Sequence, residues 1–250
     1  MTARSSCAVG LLTLYCFSYA GGNSWAFRQL GQELAGRIEV VPVELPGRGR
    51  RRGERCIDQW DELTDVLVSE LAPKLDEPHA FLGYSLGALV ALKVMHALKD
   101  RHLARSLPSR ALFACALSGP RAITHERLLH RMEDRAMFEA LRDLGGIPDE
   151  LLDSPELIAL SAPAMRADLT LFKTFTPPGK PLAGIPVHAY WGNADVSVGD
   201  GYAAWRSETD VAFHTRAFDG GHMFLYDAAS ALANALAEDL ALFGKQLKTA

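Results

Sequence analysis

The sequence predicts the α/β class: a mostly parallel sheet with helices on both faces and an inserted helical lid. Three observations support this prediction. Short apolar or β-branched runs alternate with longer runs of helical period. The apolar runs are continuous, as is typical of strands that are buried on both faces. Between Gly119 and Pro186 the alternation stops, and only helical patterns are found.

Six runs are predicted strands, and each is bounded by turn residues or by a change of period. They are Leu11 to Phe17, Ile38 to Leu45, Ala80 to Gly83, 111 to 119, 187 to 192 and Phe213 to Phe218. Helices are predicted between and after them. They are Ser24 to Ala35, Asp58 to Leu75, Leu86 to Leu98 and Phe224 to Phe243. This order predicts strands joined through covering helices.

The stretch that breaks the alternation consists of predicted helical pieces. The first two are His125 to Arg131 and Asp134 to Leu144, the latter ended by Gly145-Gly146. A third begins at Ser154-Pro155, where serine is a favoured N-cap and proline a favoured first residue. We therefore expect residues 120–186 to form a helical lid over the carboxyl edge of the sheet, within one domain that covers residues 1–250.

Composition excludes several classes of protein. The chain has 250 residues, 48% hydrophobic and 22% charged, which is sufficient for one large globular domain. The net charge of −4 argues against nucleic-acid binding. The sequence has no run of 18 apolar residues, so no membrane-spanning helix is predicted.

The first 20 residues resemble a short signal peptide, but Leu11 to Phe17 is also a good buried strand, and we favour that interpretation.

Cysteine usage indicates neither a metal site nor a disulfide framework. The four cysteines contain no CxxC pair, and Cys16 and Cys115 lie in apolar runs where they serve as small core residues. We expect no metal and no cofactor, and a reducing cytoplasm is the simplest location.

Ser85 is the strongest candidate for chemistry. It lies in "FLGYSLGALVAL", where a predicted strand turns at once into a predicted helix. A G-x-S-x-G turn in this context lifts a serine clear of the sheet and directs the first N–H groups of the helix at the atom that it attacks. A merely structural tight turn is the alternative. We predict that Ser85 is a nucleophile.

A serine nucleophile needs a base and an acid that orients the base. His222 lies in a glycine-rich loop before the last helix, whereas His214 lies within a predicted strand, so His222 is the predicted base. Asp195 follows a buried strand directly and is the predicted acid. Asp219 is the next candidate, followed by Asp200; each is otherwise a solvated loop carboxylate.

Two backbone N–H groups are predicted to form an oxyanion hole. Leu86, immediately after the serine, supplies one. The other is expected from Ala20 in the loop "FSYAGGN", because Gly21-Gly22 allows close approach of that loop to a substrate. The alternative is an ordinary glycine turn. The residues alone leave a serine hydrolase and an acyltransferase open.

Six stretches resemble the type II thioesterases of polyketide and nonribosomal peptide synthesis, which are α/β hydrolases. They are "CFSYAGGNSWAF", "ELPGRGRR", "FLGYSLGALVA", "PAMRADL", "GNADVSV" and "FDGGHMFL". The resemblance covers nearly the whole chain in order. It implies an α/β-hydrolase fold and an editing enzyme that hydrolyses thioesters on the phosphopantetheine arm of acyl or peptidyl carrier proteins. It also implies that the helical insertion is mobile.

Carried over residue by residue, the resemblance makes Ser85, Asp195 and His222 the triad and Ala20 and Leu86 the oxyanion donors. Ser18 departs from the family pattern, which has proline there, and this leaves the geometry of the oxyanion loop open.

Five arginines between Arg48 and Arg55 form a basic stretch that could steer an acidic carrier protein. A solvated loop is the default for such a stretch, and Arg48 also matches a family position that can be structural. Three functions therefore remain: a thioesterase, a carboxylesterase or acyltransferase on the same triad, and a non-catalytic binding member of the fold.

Overall fold

The computed structural model describes residues 11–101, 109–123, 128–142, 147 and 149–246. Its six strands form one sheet in the order β2-β1-β3-β4-β5-β6, and every neighbouring pair is parallel. The strands are β1 (Leu12–Phe17), β2 (Ile38–Val43), β3 (His79–Tyr84), β4 (Ser109–Cys115), β5 (Val187–Gly192) and β6 (Phe213–Phe218). The predicted α/β class and all six predicted strands are confirmed.

The end of β4 differs from the prediction. The apolar pattern predicted a strand over 111–119, but the ladder stops at Cys115. Ala116 has φ +54°, a left-handed conformation that cannot continue an extended strand. Its N–H still donates to the carbonyl of Tyr190, 2.9 Å away, so the chain leaves the sheet while it remains attached to β5.

Eight α-helices are described. They are α1 (Arg28–Glu33), α2 (Trp60–Leu71), α3 (Leu86–Asp100), α4 (Asp134–Arg142), α5 (Asp149–Leu152), α6 (Pro155–Thr174), α7 (Phe224–Asp227) and α8 (Ala229–Gln246). The predicted helix at Ser24 begins with a 3-10 turn, and the predicted C-terminal helix is broken at Ala228. A 3-10 segment at Gly199–Glu208 was not predicted.

The sheet is covered on both faces, as predicted. The helices α2 and α3 pack in one hydrophobic cluster, where Leu67, Leu89 and Met95 are buried together with Phe81 of β3. The helices α1 and α8 pack on the other face around Leu30. Cys16 and Cys115 are both buried in this second cluster, which confirms their interpretation as core residues.

The segment between β4 and β5 is helical in the part that the structure describes. Its helices α4, α5 and α6 share a small cluster with Met137, Phe138 and Ile158. The Ser154 side chain accepts a hydrogen bond from Leu157 N at 3.2 Å, so α6 begins with the predicted cap. Of the helix predicted at 125–131, only a 3-10 turn at Leu129–Arg131 is described. Residues 125–127, and the predicted stop at 145–146, lie outside the described residues.

No helix among the described residues is both long and apolar enough to cross a membrane.

Candidate active site

Ser85 occupies a strained turn between β3 and α3. Its backbone has φ +53° and ψ −122°, which is costly for a residue other than glycine. Its N–H donates to the carbonyl of Cys115 at 2.8 Å, so β4 holds the turn in place. The surrounding packing therefore maintains a conformation that presents the Ser85 side chain at the carboxyl edge of the sheet.

The two glycines around this turn are required by close backbone contacts. A Cβ atom on Gly83 would lie 2.3 Å from the backbone of Ala88, and one on Gly87 would lie 2.1 Å from the carbonyl oxygen of Phe17. Neither contact can be relieved by a side-chain rotation, because the opposing atoms are backbone atoms. The glycines thus allow α3 to pack directly on β3 and on the end of β1.

Asp195 and His222 form a hydrogen-bonded pair. The Nδ1 atom of His222 lies 2.8 Å from the Oδ2 atom of Asp195. Asp195 follows β5 and His222 follows β6, so parallel strands bring both loops to the edge where β3 ends at the serine turn. The imidazole is 19% exposed and the carboxylate 2% exposed. The substrate can therefore reach the imidazole of His222, whereas the carboxylate that orients it is shielded from solvent.

The second oxygen of Asp195 is also satisfied. Its Oδ1 atom accepts from the N–H of Ser197 at 2.9 Å and from the Ser197 hydroxyl at 2.6 Å. Burial alone would raise the pKa of Asp195, but the hydrogen bonds from His222 and Ser197 outweigh burial and hold the pKa below its ordinary value. The carboxylate is therefore ionised at neutral pH, as the orienting partner of a histidine must be.

The other candidates are placed differently. Asp219 accepts from the side-chain amide of Asn193 at 2.9 Å, and it orders the loop without contacting the imidazole. His214 lies on β6 with its ring 4.8 Å from the His188 ring, centroid to centroid. Asp200 lies in the 3-10 segment, and the carboxylate bonded to His222 Nδ1 is that of Asp195. Of the predicted acids, the structure brings only Asp195 to His222.

Tyr84 connects the serine turn to the histidine loop. Its hydroxyl donates to the carbonyl of His222 at 2.6 Å and accepts from the N–H of Leu225 at 3.1 Å. Its ring lies edge-on to the His222 imidazole, with centroids 6.3 Å apart. The residue before Ser85 thus fixes the backbone that carries the base. The sequence analysis missed this role, because a tyrosine that ends a buried strand is indistinguishable from an ordinary core residue.

The two predicted oxyanion donors lie on adjoining segments. Leu86 is the first residue of α3, and Ala20 lies in the loop that follows β1. The site of a Gly87 Cβ is 2.7 Å from the carbonyl oxygen of Ser18, so this loop packs against the serine turn. Gly21 has φ +73°, the left-handed conformation that glycine adopts without strain.

A buried ion pair holds this loop, and sequence reasoning missed it. Asp168 on α6 accepts from the N–H of Gly21 at 2.7 Å, and both of its oxygens accept from the guanidinium of Arg48. Asp168 is fully buried and Arg48 is 6% exposed. The sequence signals were the agreement of Arg48 with a structural family position and the presence of Asp168 in the family-like stretch "PAMRADL", but neither indicated that the two residues pair.

Most of the basic stretch is neutralised by neighbouring carboxylates. Arg48 pairs with Asp168, Arg51 with Glu54 and Glu70, and Arg55 with Glu62. Arg50 and Arg52 form no ion pair with the part of the chain that the structure describes. The available positive charge of the stretch is therefore two side chains, not five.

Within the described residues, no group of three or more histidine, cysteine, aspartate or glutamate side chains is arranged to hold a metal ion. The candidate site is built from a serine on a strained turn, a histidine with an ionised carboxylate, and a glycine loop.

A six-stranded parallel sheet with helices on both faces, in which a G-x-S-x-G turn joins β3 to α3, is the α/β-hydrolase fold. Residues 12–240 match the thioesterase domain family. Thioesterase PikA5 of Streptomyces venezuelae is 32% identical over 229 residues, which cover 91% of this chain and 80% of that protein.

Two solved structures are similar along almost the whole chain. RedJ, a thioesterase from the prodiginine biosynthetic pathway in Streptomyces coelicolor, is 32% identical with a TM-score of 0.83, covering 96% of this chain and 90% of RedJ. The type II thioesterase BorB from the borrelidin biosynthetic cluster is 28% identical with a TM-score of 0.82, covering 96% of this chain and 95% of BorB. The chain belongs to the thioesterase family, and within it to the type II thioesterases of nonribosomal peptide and polyketide pathways.

Proposed function

We propose that this type II thioesterase removes acyl groups from the phosphopantetheine arm of acyl or peptidyl carrier proteins, and so frees misloaded or stalled synthases in the cytoplasm. The single observation that carries the chemistry is the His222–Asp195 hydrogen bond at the edge where Ser85 is presented. Family membership supports the thioester substrate, and the carrier protein follows from the pathways in which such enzymes act.

The first half-reaction forms an acyl-enzyme. Asp195 accepts a hydrogen bond from the Nδ1–H of His222 and remains ionised, which leaves Nε2 as the basic nitrogen. As the Ser85 oxygen attacks the thioester carbonyl carbon, Nε2 takes the hydroxyl proton. The N–H groups of Leu86 and Ala20 stabilise the resulting oxyanion. The carbon–sulfur bond then breaks, and His222 returns the proton to the departing thiolate.

The second half-reaction regenerates the enzyme. A water molecule loses a proton to His222 Nε2 while its oxygen attacks the carbonyl carbon of the acyl-Ser85 ester. The same N–H groups hold the second tetrahedral intermediate. Its collapse breaks the ester bond and returns the proton to the serine oxygen. The products are a carboxylic acid and the free thiol of the carrier arm.

The described helices α4, α5 and α6 are proposed to form the lid of this site, within a single domain that covers the chain. Their small cluster is separate from the two clusters that cover the sheet, and α6 is joined to the cluster of α2 and α3 near its end, through Leu171 and Phe172. The lid also contacts the oxyanion loop, because a Cβ atom on Gly21 would lie 2.6 Å from the Met165 side chain on α6. Movement of α6 would therefore open the site to a long substrate.

The test compares one acyl group on a carrier protein, on coenzyme A and as a p-nitrophenyl ester. We expect kcat/KM to be highest on the carrier protein, and Ser85→Ala to lose activity on all three by about 10⁴-fold or more. A wild-type enzyme that prefers the oxygen ester, with no advantage for the carrier, would make it a general esterase. Net acyl transfer to an added alcohol or amine, exceeding hydrolysis, would make it an acyltransferase. Failure of Ser85 to react with a fluorophosphonate would indicate a non-catalytic member of the fold.

The docking contribution of the basic stretch is tested at its two unpaired arginines. Arg50→Ala/Arg52→Ala should raise KM for the carrier substrate and leave the p-nitrophenyl ester reaction unchanged, with an effect that shrinks as salt rises. The control is Arg55→Ala/Arg101→Ala, which removes the same charge from two side chains that are already in ion pairs. Equal effects of the two double variants would remove the docking role and leave the enzymatic function intact.

A further inference from the structure

The buried ion pair of Arg48 and Asp168 also binds a backbone N–H group of the oxyanion loop. Besides the guanidinium, the Oδ2 atom of Asp168 accepts from the backbone N–H of Gly21 at 2.7 Å. Gly21 lies 147 positions away in sequence, in the loop after β1. One carboxylate therefore joins three segments: the oxyanion loop, the basic stretch after β2, and helix α6.

This bond restrains the peptide next to the candidate oxyanion donor. The peptide group that joins Ala20 to Gly21 is planar, so fixing the direction of its N–H also fixes its carbonyl and limits ψ of Ala20. The carbonyl of Tyr19 shares a peptide plane with the Ala20 N–H, and it accepts from Gly22 N at 2.9 Å. The Ala20 N–H thus belongs to one of two successive peptides that hydrogen bonds hold in place.

The charge of Asp168 must be balanced for this arrangement to favour catalysis. A buried carboxylate near the oxyanion hole would repel the negative charge that develops on the substrate carbonyl. Burial by itself lowers the pKa of Arg48, but the ionised Asp168 outweighs burial and raises it, so the guanidinium remains charged. Arg48 thus keeps the pair neutral while the carboxylate stays in place as a hydrogen-bond acceptor.

We propose that Asp168 and Arg48 are positioning residues, which hold the Ala20 N–H in the oxyanion geometry only while α6 is seated on the loop. The inference rests on the proposed role of Ala20 as an oxyanion donor. It makes closure of the lid and assembly of the oxyanion hole one event, because the same carboxylate belongs to both. Water is then activated at a complete site only with the helix in place.

The variant that carries the test is Asp168→Asn. It keeps the side-chain shape, removes the charge and breaks the paired contact with Arg48. Asp168→Asn alone leaves the Arg48 guanidinium buried without its counter-ion, just as Arg48→Met would leave the carboxylate. The double variant Asp168→Asn/Arg48→Met, which leaves no unpaired charge, is therefore measured beside it, and the same loss of kcat is expected. The control is Asp239→Asn, a largely buried acid on α8 whose partners His188, Tyr190 and Arg216 all lie on β5 and β6.

The measurements separate positioning from stability. For Asp168→Asn we expect kcat on a short p-nitrophenyl ester to fall by about 10- to 100-fold, part of the loss that follows removal of an oxyanion donor, with KM changed less than about threefold. Affinity for an alkyl boronic acid, whose adduct with Ser85 mimics the tetrahedral intermediate, should fall by the same factor as kcat/KM. Asp239→Asn should lower the melting temperature without these losses.

Three results would overturn the proposal. They are a kcat within twofold of wild type in Asp168→Asn, a fall in kcat without a fall in boronic acid affinity, and an equal loss of kcat in Asp239→Asn. If Ser85→Ala is inactive and wild-type Ser85 reacts with a fluorophosphonate, these results would refute the positioning role and leave the proposed function intact. If Ser85→Ala remains active, the proposed function itself fails, and the positioning role fails with it.

Discussion

Replacing Tyr84 with phenylalanine removes one oxygen atom and leaves the ring in place. The side chain is fully buried, and its ring packs against Phe224 with centroids 5.2 Å apart. Phenylalanine retains that contact. Burial raises the pKa of Tyr84 far above its ordinary value, so the hydroxyl stays protonated and donates at every working pH. The substitution therefore isolates two hydrogen bonds, to the carbonyl of His222 and from the N–H of Leu225.

The expected loss of stability depends on whether each former partner of the hydroxyl can find another hydrogen bond. His222 is partly exposed, so its carbonyl can turn to water, whereas Leu225 is 1% exposed and its N–H would lose its partner in a dry environment. Leaving one buried donor unsatisfied costs about 1–3 kcal/mol, so we expect a loss of about 2 kcal/mol in the free energy of unfolding. For a chain of this size that corresponds to roughly 4–8 °C in Tm.

The expected effect on rate is larger than the effect on binding. The base keeps its bond to Asp195 but loses the support of its own backbone. A displacement of about 1 Å at a reacting group can cost up to about 100-fold, so we expect kcat to fall by about 10- to 100-fold with little change in KM. The assay is steady-state hydrolysis of a p-nitrophenyl ester, together with guanidinium unfolding.

The matched control is Tyr190→Phe. Tyr190 is equally buried, and its hydroxyl donates to Asp239, away from the histidine loop. It should lose stability without a comparable loss of kcat. A Tyr84→Phe enzyme that loses stability but works within twofold of wild type would refute the argument, and so would equal losses of kcat in the two variants.

Three further results are expected. Asp195→Asn should lower kcat by about 10⁴-fold and Asp219→Asn by less than tenfold, since only Asp195 contacts the base; the reverse ranking, measured by ester hydrolysis, would move the role of the acid. Burial lowers the pKa of His96 to about 4, so as pH falls the unfolded chain takes up a proton at this residue before the folded chain does. About 2 kcal/mol of the free energy of unfolding should therefore be lost between pH 7 and pH 5. Guanidinium unfolding at the two pH values should show a smaller loss in His96→Gln. Amide hydrogens of α4 should exchange faster than those of α3 in native-state exchange, and equal rates would argue against a mobile lid.

The elements that sequence predicted well are those that local patterns determine. Continuous apolar runs gave the strands, and helical period gave α2 and α3 to within two residues at their starts. The serine turn was predicted for the same reason, because a strand, two glycines and a helix are adjacent in the chain. Asp195 and His222 were predicted because each follows a strand whose carboxyl end must lie at the shared edge.

The features that sequence missed depend on distant parts of the chain. A charged residue within a helix is ordinarily solvated, and nothing next to Asp168 shows that Arg48 neutralises it across 120 positions. The 3-10 segment at Gly199–Glu208 has no helical period, and it is held by tertiary contacts such as the bond from the Trp205 indole to the carbonyl of Leu117, at 2.8 Å. The break at Ala228 also has no local glycine or proline to indicate it.

Ser18 is a residue for which the family resemblance and the structure can be compared directly. The family has proline at this position, and the structure shows the surroundings of the serine. Its hydroxyl is buried and has no hydrogen-bond partner among the described residues, and a Cβ atom on Gly22 would lie only 2.1 Å from it. The hydroxyl thus contributes no bond to the loop, whose geometry depends on Asp168 and on the turn from Tyr19 to Gly22. Ser18→Ala should therefore raise the free energy of unfolding by about 1 kcal/mol, because it removes an unsatisfied buried polar group, and should leave kcat within twofold of wild type. A loss of stability in guanidinium unfolding would mean that the hydroxyl has a partner, and that this serine supports the loop as the family's proline does.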